Sequence, residues 1–194
     1  MAKCKLEIRL AGSGGQGLML AGIILAEAAI LYDNRNAVNT QSYGPEARGG
    51  ASQSEVIISD DEIDFPMCEQ LDILLCLNQQ SLDKYLDDLR KGGMLIVDSG
   101  LCADLPEGDE YKVYKIPFTA LARDEVGKVF VANIVSLGAV AGLTDCVTRN
   151  SLERAVLTRV PKGTEPLNMK ALAVGYREAA AARVDQPVGA TKPA

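Results

Sequence analysis

Residues 12–17 read Gly-Ser-Gly-Gly-Gln-Gly. Gly12, Gly14 and Gly17 keep the GxGxxG spacing, follow a strand-like run and open an apolar helix-like run. That is the context in which a glycine loop cradles phosphate. Glycine permits the sharp turn and lets an anion approach the backbone amides, and the helix N-terminus adds roughly half a positive charge. The dinucleotide form also needs an acidic side chain about 20 residues on, to hold the ribose hydroxyls. The next strand-like run ends Asn39-Thr40-Gln41-Ser42-Tyr43 with no acid, and Asp33 precedes that run, at the wrong end for the task. No Gly-x-x-x-x-Gly-Lys-Ser/Thr sequence occurs, so this is not a P-loop. Two readings of Ser13, Gly15, Gln16 and the flanking glycines stay open. One is a tight strand-to-helix turn. The other is a seat for some other anion or for a backbone neighbour.

A second segment, SYGPEARGGASQSEV (42–56), is over-specified as a turn. Gly44, Pro45, Gly49 and Gly50 surround Glu46 and Arg48, more than a reversal of the chain requires. Arg48 offers the planar fork that holds carboxylate or phosphate with two hydrogen bonds. Glu46 is its local counter-charge, and the plain alternative is an Arg–Glu pair on a surface loop. In open α/β sheets, ligand sites form beyond the carboxyl ends of the strands. The loops after the first two strands both lie there if those strands run parallel.

The elements that must position these loops follow from periodicity. KLEIRLA (5–11) alternates and reads as a strand, and 17–32 is a helix apolar on nearly all sides, covered on more than one face. Strands are expected at 37–43, 52–59, 71–77, 94–99 and 111–116, with turns at 33–36 and 60–64. Asn78 caps a helix over 79–90, with Leu82, Tyr85, Leu86 and Leu89 as its apolar stripe, and Lys91-Gly92-Gly93 ends it. Pro117 opens a segment that ends near Gly127, and 130–143 is a closely packed buried helix. Ser151 opens the next helix and Asn168 caps the last. The polar stretch 185–194 is expected to be a disordered tail, leaving 1–184 as a single domain. Strands alternating with helices predict an α/β fold, a three-layer α/β/α sandwich with a Rossmann-like, mixed but mostly parallel sheet. The mixing is expected where 37–43 and 52–59 follow one another without a helix.

Composition removes several function classes. The chain of 194 residues has no histidine and no tryptophan, and aromatic residues make up 5%. Ser-His-Asp and Cys-His catalysis within this chain are thereby excluded, and a base-stacking surface is not expected. The five cysteines, at 4, 68, 76, 102 and 146, form no CxxC pair, so iron–sulfur, zinc-ribbon and disulfide frameworks are disfavoured. They read as free, mostly buried thiols of a cytoplasmic protein. A net charge of −6 argues against non-specific attraction to nucleic acid or anionic membrane. The most apolar stretch, 18–32, is interrupted by Glu27 and is too short to span a bilayer, and no signal peptide precedes it.

Taken in order, GSGGQG, YGPEARGG, DILLCLNQ, GGMLIVDS, VANIVSLGA and NMKALAVG resemble the gamma subunit of 2-oxoacid:ferredoxin oxidoreductases over residues 5–180. The N-terminal stretch is most similar to gamma subunits of the 2-oxoglutarate enzymes. Pyruvate-type chains more often carry a basic residue where Ser13 stands, and the indolepyruvate branch differs at YGPEARGG. The resemblance implies an enzyme that oxidatively decarboxylates a 2-oxoacid, forms an acyl-coenzyme A and passes electrons to ferredoxin. It implies thiamine diphosphate and magnesium on alpha and beta subunits, with iron–sulfur clusters on beta, on a ferredoxin-like delta subunit, or on both. The gamma subunit would bind no cofactor alone and would be inactive alone. It corresponds to a domain of single-chain pyruvate:ferredoxin oxidoreductase associated with coenzyme A entry. In these terms Gly12, Ser13, Gly14, Gly15, Gln16, Gly17, Tyr43, Glu46 and Arg48 would line a wall of the coenzyme A and active-site cavity. Arg48 is the first choice for an anionic group, and the amides of 12–17 are the second. The expected partners are the alpha, beta and delta subunits and ferredoxin, with no nucleic acid or membrane. An isolated chain would form a homodimer through its partner face. The alternatives are a pyruvate- or branched-chain-type gamma subunit, or a stand-alone nucleotide- or coenzyme-A-binding α/β protein.

Overall fold

The computed structural model describes residues 5–43 and 51–185. Six strands form one sheet: β1 (Lys5–Ser13), β2 (Asn36–Tyr43), β3 (Ala51–Ser59), β4 (Leu71–Cys76), β5 (Leu89–Asp98) and β6 (Lys112–Ile116). Their order is β2-β3-β1-β4-β5-β6. β3 is antiparallel to both neighbours, while β1, β4, β5 and β6 pair in parallel. β1 and β2 therefore run in the same direction with β3 reversed between them. The carboxyl ends of five strands lie at one edge, as the paired-loop expectation requires.

Helices cover both faces, unequally. α1 (Leu18–Glu27, extended by one wide turn, Ala28–Tyr32), α3 (Phe118–Leu121), α4 (Ala132–Thr144), α5 (Arg149–Arg159) and α6 (Glu165–Asp185) pack on one side. Ile8, Leu10, Val56, Ile58, Leu75 and Ile96 of the sheet meet them there. α2 (Gln79–Tyr85) covers the other side, with Leu82 and Tyr85 against Leu74, Cys76, Leu95 and Val97. Parallel strands covered on both faces read as continuous apolar runs, which explains LDILLC and MLIV.

Three expected elements differ. The helix expected over 79–90 ends at Tyr85, a short 3-10 turn (Leu86–Asp88) follows, and β5 begins at Leu89 rather than 94. Leu82, Tyr85 and Leu89 are buried in one cluster, so the stripe is real, but Leu89 reaches it as a strand residue paired with Leu71. Gly92, at φ +75°, serves an irregularity inside β5 and not a helix stop. Thr148, not Ser151, caps α5: its side chain accepts from the Ser151 amide. Asn168 lies inside α6, which starts at Glu165, and its amide donates to the Thr164 carbonyl at 2.9 Å. The expected tail at 185–194 falls outside the described residues beyond Asp185.

Two carboxylates tie α1 and its extension to α5: Glu27, which accepts from Arg159, and Asp33. Asp33 accepts from the Thr148 amide (2.7 Å), the Thr148 hydroxyl (2.8 Å) and the Ser151 hydroxyl (2.6 Å). Burial works to raise its pKa, but the bonds from Ser151 and Thr148 outweigh it and hold the carboxyl below its ordinary value.

Candidate functional site

β1 carries Gly12 and Ser13 to the carboxyl edge, and the chain turns through Gly14, Gly15 and Gln16 into α1. The Gln16 amide donates to the Ser13 carbonyl at 3.1 Å and closes the turn. The Gln16 side chain then folds back, and its carbonyl oxygen accepts from the Ser13 amide at 2.6 Å. An amide oxygen thus sits where an anion's oxygen would sit on that donor. A Cβ on Gly12 would overlap this oxygen. Gly17 adopts φ +76°, and a Cβ there would lie 2.6 Å from Asn133 Nδ2, which donates to the Gly17 carbonyl at 3.0 Å. Gly12 and Gly17 are therefore glycines for the protein's own packing. Gly15, at φ +95°, is different, because nothing stands within 4 Å of its missing Cβ.

Gly15 and Gln16 open onto a cleft of about 460 Å³, whose remaining walls are Leu101, Thr119, Val129, Phe130 and Ala132. The far wall is fixed by Asp98 at the end of β5, a fully buried carboxylate. It accepts from the Gly100 amide (3.0 Å), the Thr119 amide (2.8 Å) and the Thr119 hydroxyl (2.6 Å). On the other flank, Asn78 donates to the Ser13 hydroxyl at 2.5 Å and accepts from the Ser81 amide at 2.8 Å. The rim is apolar and open to solvent: Phe130 leaves 64% of its surface exposed, Val129 50% and Leu101 44%. A cluster of large exposed apolar side chains around a cleft marks an interaction surface.

The sequence candidates fall as follows. Gly12 through Gly17 occupy the loop described. Tyr43 ends β2 at the same edge, paired with Ser52, while Ser13 pairs with Ala51. Glu46 and Arg48 lie outside the described residues. Asn133, Asp98, Thr119 and the Leu101–Val129–Phe130 rim were not singled out from sequence. A lone asparagine in the apolar run VANIVSLGA was the signal available for Asn133, since a buried amide needs a partner.

The described thiols at 68, 102 and 146 are not set up as nucleophiles. Burial pushes Cys68 up to about 12, and Cys102 and Cys146 to about 11. They are protonated and poorly nucleophilic at neutral pH. Among the described residues, no group of three or more His, Cys, Asp or Glu side chains is placed to hold a metal ion. No described helix is long and apolar enough to cross a membrane.

The family described as pyruvate ferredoxin/flavodoxin oxidoreductase matches residues 7–178. The 2-oxoglutarate synthase subunit KorC of Methanocaldococcus jannaschii is 56% identical over 91% of this chain and 95% of its own length. The chain belongs to this family. Among solved structures, the keto/oxoacid ferredoxin oxidoreductase gamma subunit from Geobacter sulfurreducens superposes with a TM-score of 0.83. It is 51% identical over 91% of this chain and 99% of that one. The 2-oxoglutarate:ferredoxin oxidoreductase from Magnetococcus marinus shares the fold alone. There the TM-score is 0.81 at 21% identity, over 91% of this chain and 31% of that one. The gamma-subunit resemblance and the α/β fold read from sequence are both borne out, and the chain is a subunit of an oxidoreductase.

Proposed function

We propose that this chain is the non-catalytic gamma subunit of a cytoplasmic, thiamine-dependent 2-oxoglutarate:ferredoxin oxidoreductase. The edge bearing Gly15, Gln16 and Tyr43 forms part of the wall of its coenzyme A and active-site cavity. The observation that carries this reading is the open cleft at Gly15 and Gln16, rimmed by exposed Leu101, Val129 and Phe130. A wall completed by neighbouring subunits has this form, with small backbone-lined surface inside and apolar contact residues around it. The 2-oxoglutarate preference rests on the KorC relative at 56% identity. Coenzyme A as the substrate that meets this wall is supported by the Magnetococcus marinus enzyme, which was solved with 2-oxoglutarate, coenzyme A and succinyl-CoA bound. Thiamine diphosphate, magnesium and the iron–sulfur clusters are assigned to the alpha, beta and delta subunits, and ferredoxin takes the electrons. Residues 1–184 act as one domain. The Gln16 oxygen on the Ser13 amide favours this role over stand-alone nucleotide binding, because the loop's leading donor is already taken.

Two substitutions test the reading. Phe130→Asp in the co-expressed complex is expected to weaken assembly at least tenfold, as loss of an aromatic anchor does. The isolated chain should keep its melting temperature, because Phe130 is mostly exposed. Full assembly of the variant complex would remove the rim from the interface. Arg48→Ala is expected to assemble normally and to raise the Michaelis constant for coenzyme A or 2-oxoglutarate roughly tenfold or more, as loss of a charged hydrogen bond to substrate does. Unchanged kinetics would make Arg48 a surface residue. Rates with pyruvate and 2-oxoglutarate on the same preparation decide between those two substrates.

A further inference from the structure

Two strands end the sheet, and they are protected differently. β6 is five residues long and carries Lys112 and Lys115. Short length and lysines are devices that keep a sheet edge from pairing. β2 has neither: Asn36–Tyr43 runs eight residues without charge or proline. Its register with β3 is continuous from Asn36↔Ser59 to Tyr43↔Ser52, with no bulge to twist the edge away. Among the described residues, no strand pairs with its outer side. A row of backbone donors and acceptors is left facing outward there. Beside the first half of the strand lies a hollow of about 380 Å³, with apolar walls at Ile30, Val38 and Ile63 and charged ones at Arg35, Glu62 and Asp64. Ile30 and the adjoining Leu31 are 45% and 59% exposed.

We propose that β2 is a dimerisation edge, which pairs antiparallel with β2 of a second copy of this chain and joins two six-stranded sheets into one. A backbone ladder of this kind accepts only an extended main chain, and an adjacent hollow lends selectivity for the side chains that alternate along it. A second copy fits on charge, because the segment is neutral and two of them meet without like charges opposed. It also fits on symmetry, because a two-fold axis through the strand makes the same patch serve both copies. An axis normal to the sheet keeps the helix-covered faces together, so residues of like parity pair. The register centred on Thr40 sets Val38 against Ser42, and Ala37 against Tyr43 of the other copy. This inference is independent of the cleft at Gly15 and of the reading placed on it.

The test is the mass of the purified chain by light scattering or sedimentation, with Thr40→Lys and Thr40→Glu made separately and mixed. The wild type is expected to be a dimer. Each variant alone is expected to dissociate at least tenfold more readily, and an equimolar mixture should restore a Lys–Glu heterodimer. Restoration on mixing excludes misfolding as the cause, and far-ultraviolet circular dichroism of each variant checks the same point. A monomeric wild type overturns the proposal. So does a dimer that survives both substitutions, or one that Phe130→Asp breaks and Thr40→Lys does not. β2 amides protected from hydrogen exchange only in the assembled enzyme, with a monomeric isolated chain, would give the edge to another subunit's strand and equally overturn it.

Discussion

Replacing Arg9 by alanine is expected to cost about 3–5 kcal/mol of folding stability, read as a lowered urea midpoint of the isolated chain. Arg9 lies in the middle of β1 with 9% of its side chain exposed. Its Nε and Nη2 both donate to Glu55 Oε1, at 2.9 and 2.6 Å, and its Nη1 donates to Asp88. The Tyr85 ring lies 4.9 Å from the guanidinium carbon. Burial alone would lower the pKa of this group, but the bonds to Asp88 and Glu55 outweigh burial and raise it, so the charge is held. The two acids are not equivalent. Asp88 keeps 51% of its side chain exposed, so water can replace Arg9 there. Glu55 keeps 9% and would be left as a buried charge without a counter-ion. That asymmetry sets the expected order: Arg9→Ala is severe, while Asp88→Asn costs about 1 kcal/mol or less, as exposed partners do. The double variant Arg9→Met with Glu55→Met should recover most of the loss, because an apolar pair of similar volume is often neutral in place of a buried ion pair. A loss below about 1 kcal/mol for Arg9→Ala would mean that Glu55 finds another donor.

Arg9 also shows why part of the molecule was hidden in the sequence. KLEIRLA alternates, as a strand with one solvated face does. In the fold both faces are covered, and Glu7 and Arg9 are 6% and 7% exposed. Alternation reports polarity along one strand. It does not report that Glu55, 46 positions away, supplies the counter-charge. The stretch 82–89 misleads for a related reason. Four apolar residues at helical spacing fit a helix, yet pairing of Leu89 with Leu71 ends the helical stretch early and starts a strand. Local period and long-range pairing compete there, and the pairing wins. Elements whose signals are local were legible: the glycine turn between β1 and α1, the Asn78 cap and the buried α4. At the site, the backbone half was legible because glycine spacing is written in the chain. The apolar half was not. Leu101, Val129 and Phe130 come from two separate turns, one after β5 and one before α4, which meet through α3: its Thr119 bonds Asp98 at the end of β5, and the helix packs on α4.

The last helix makes the same point with a sign that propensity would get wrong. Alanine is favoured over glycine inside a helix by about 1 kcal/mol, so Gly175→Ala looks stabilising on sequence grounds. In the fold, Gly175 is where α6 crosses α4. A Cβ added there would overlap the Val135 carbonyl oxygen and lie 2.8 Å from the Ala139 amide and 3.0 Å from the Gly138 Cα. All three are backbone atoms, which cannot rotate away as a side chain can. Overpacking costs about 1–3 kcal/mol and more where nothing yields, so the net expectation is a loss of about 2 kcal/mol. Gly142→Ala is the internal control. Its Cβ would lie 2.7 Å from Ala179 Cβ, which its backbone fixes, and 3.0 Å from Tyr176 Cδ1, but the nearest backbone atom is 3.6 Å away, so a smaller loss is expected. The consequence extends to the cleft. α4 starts at Ala132, its Asn133 holds the Gly17 carbonyl, and Val129 and Phe130 directly precede it. Helices pushed apart at Gly175 therefore loosen the seat of α1 and the rim together. Gly175→Ala should lower both the urea midpoint and the yield of assembled complex, while Phe130→Asp lowers the second alone. A Gly175→Ala chain as stable as the wild type would show that the crossing has room for a methyl group, and the coupling of that crossing to the glycine loop would fall with it.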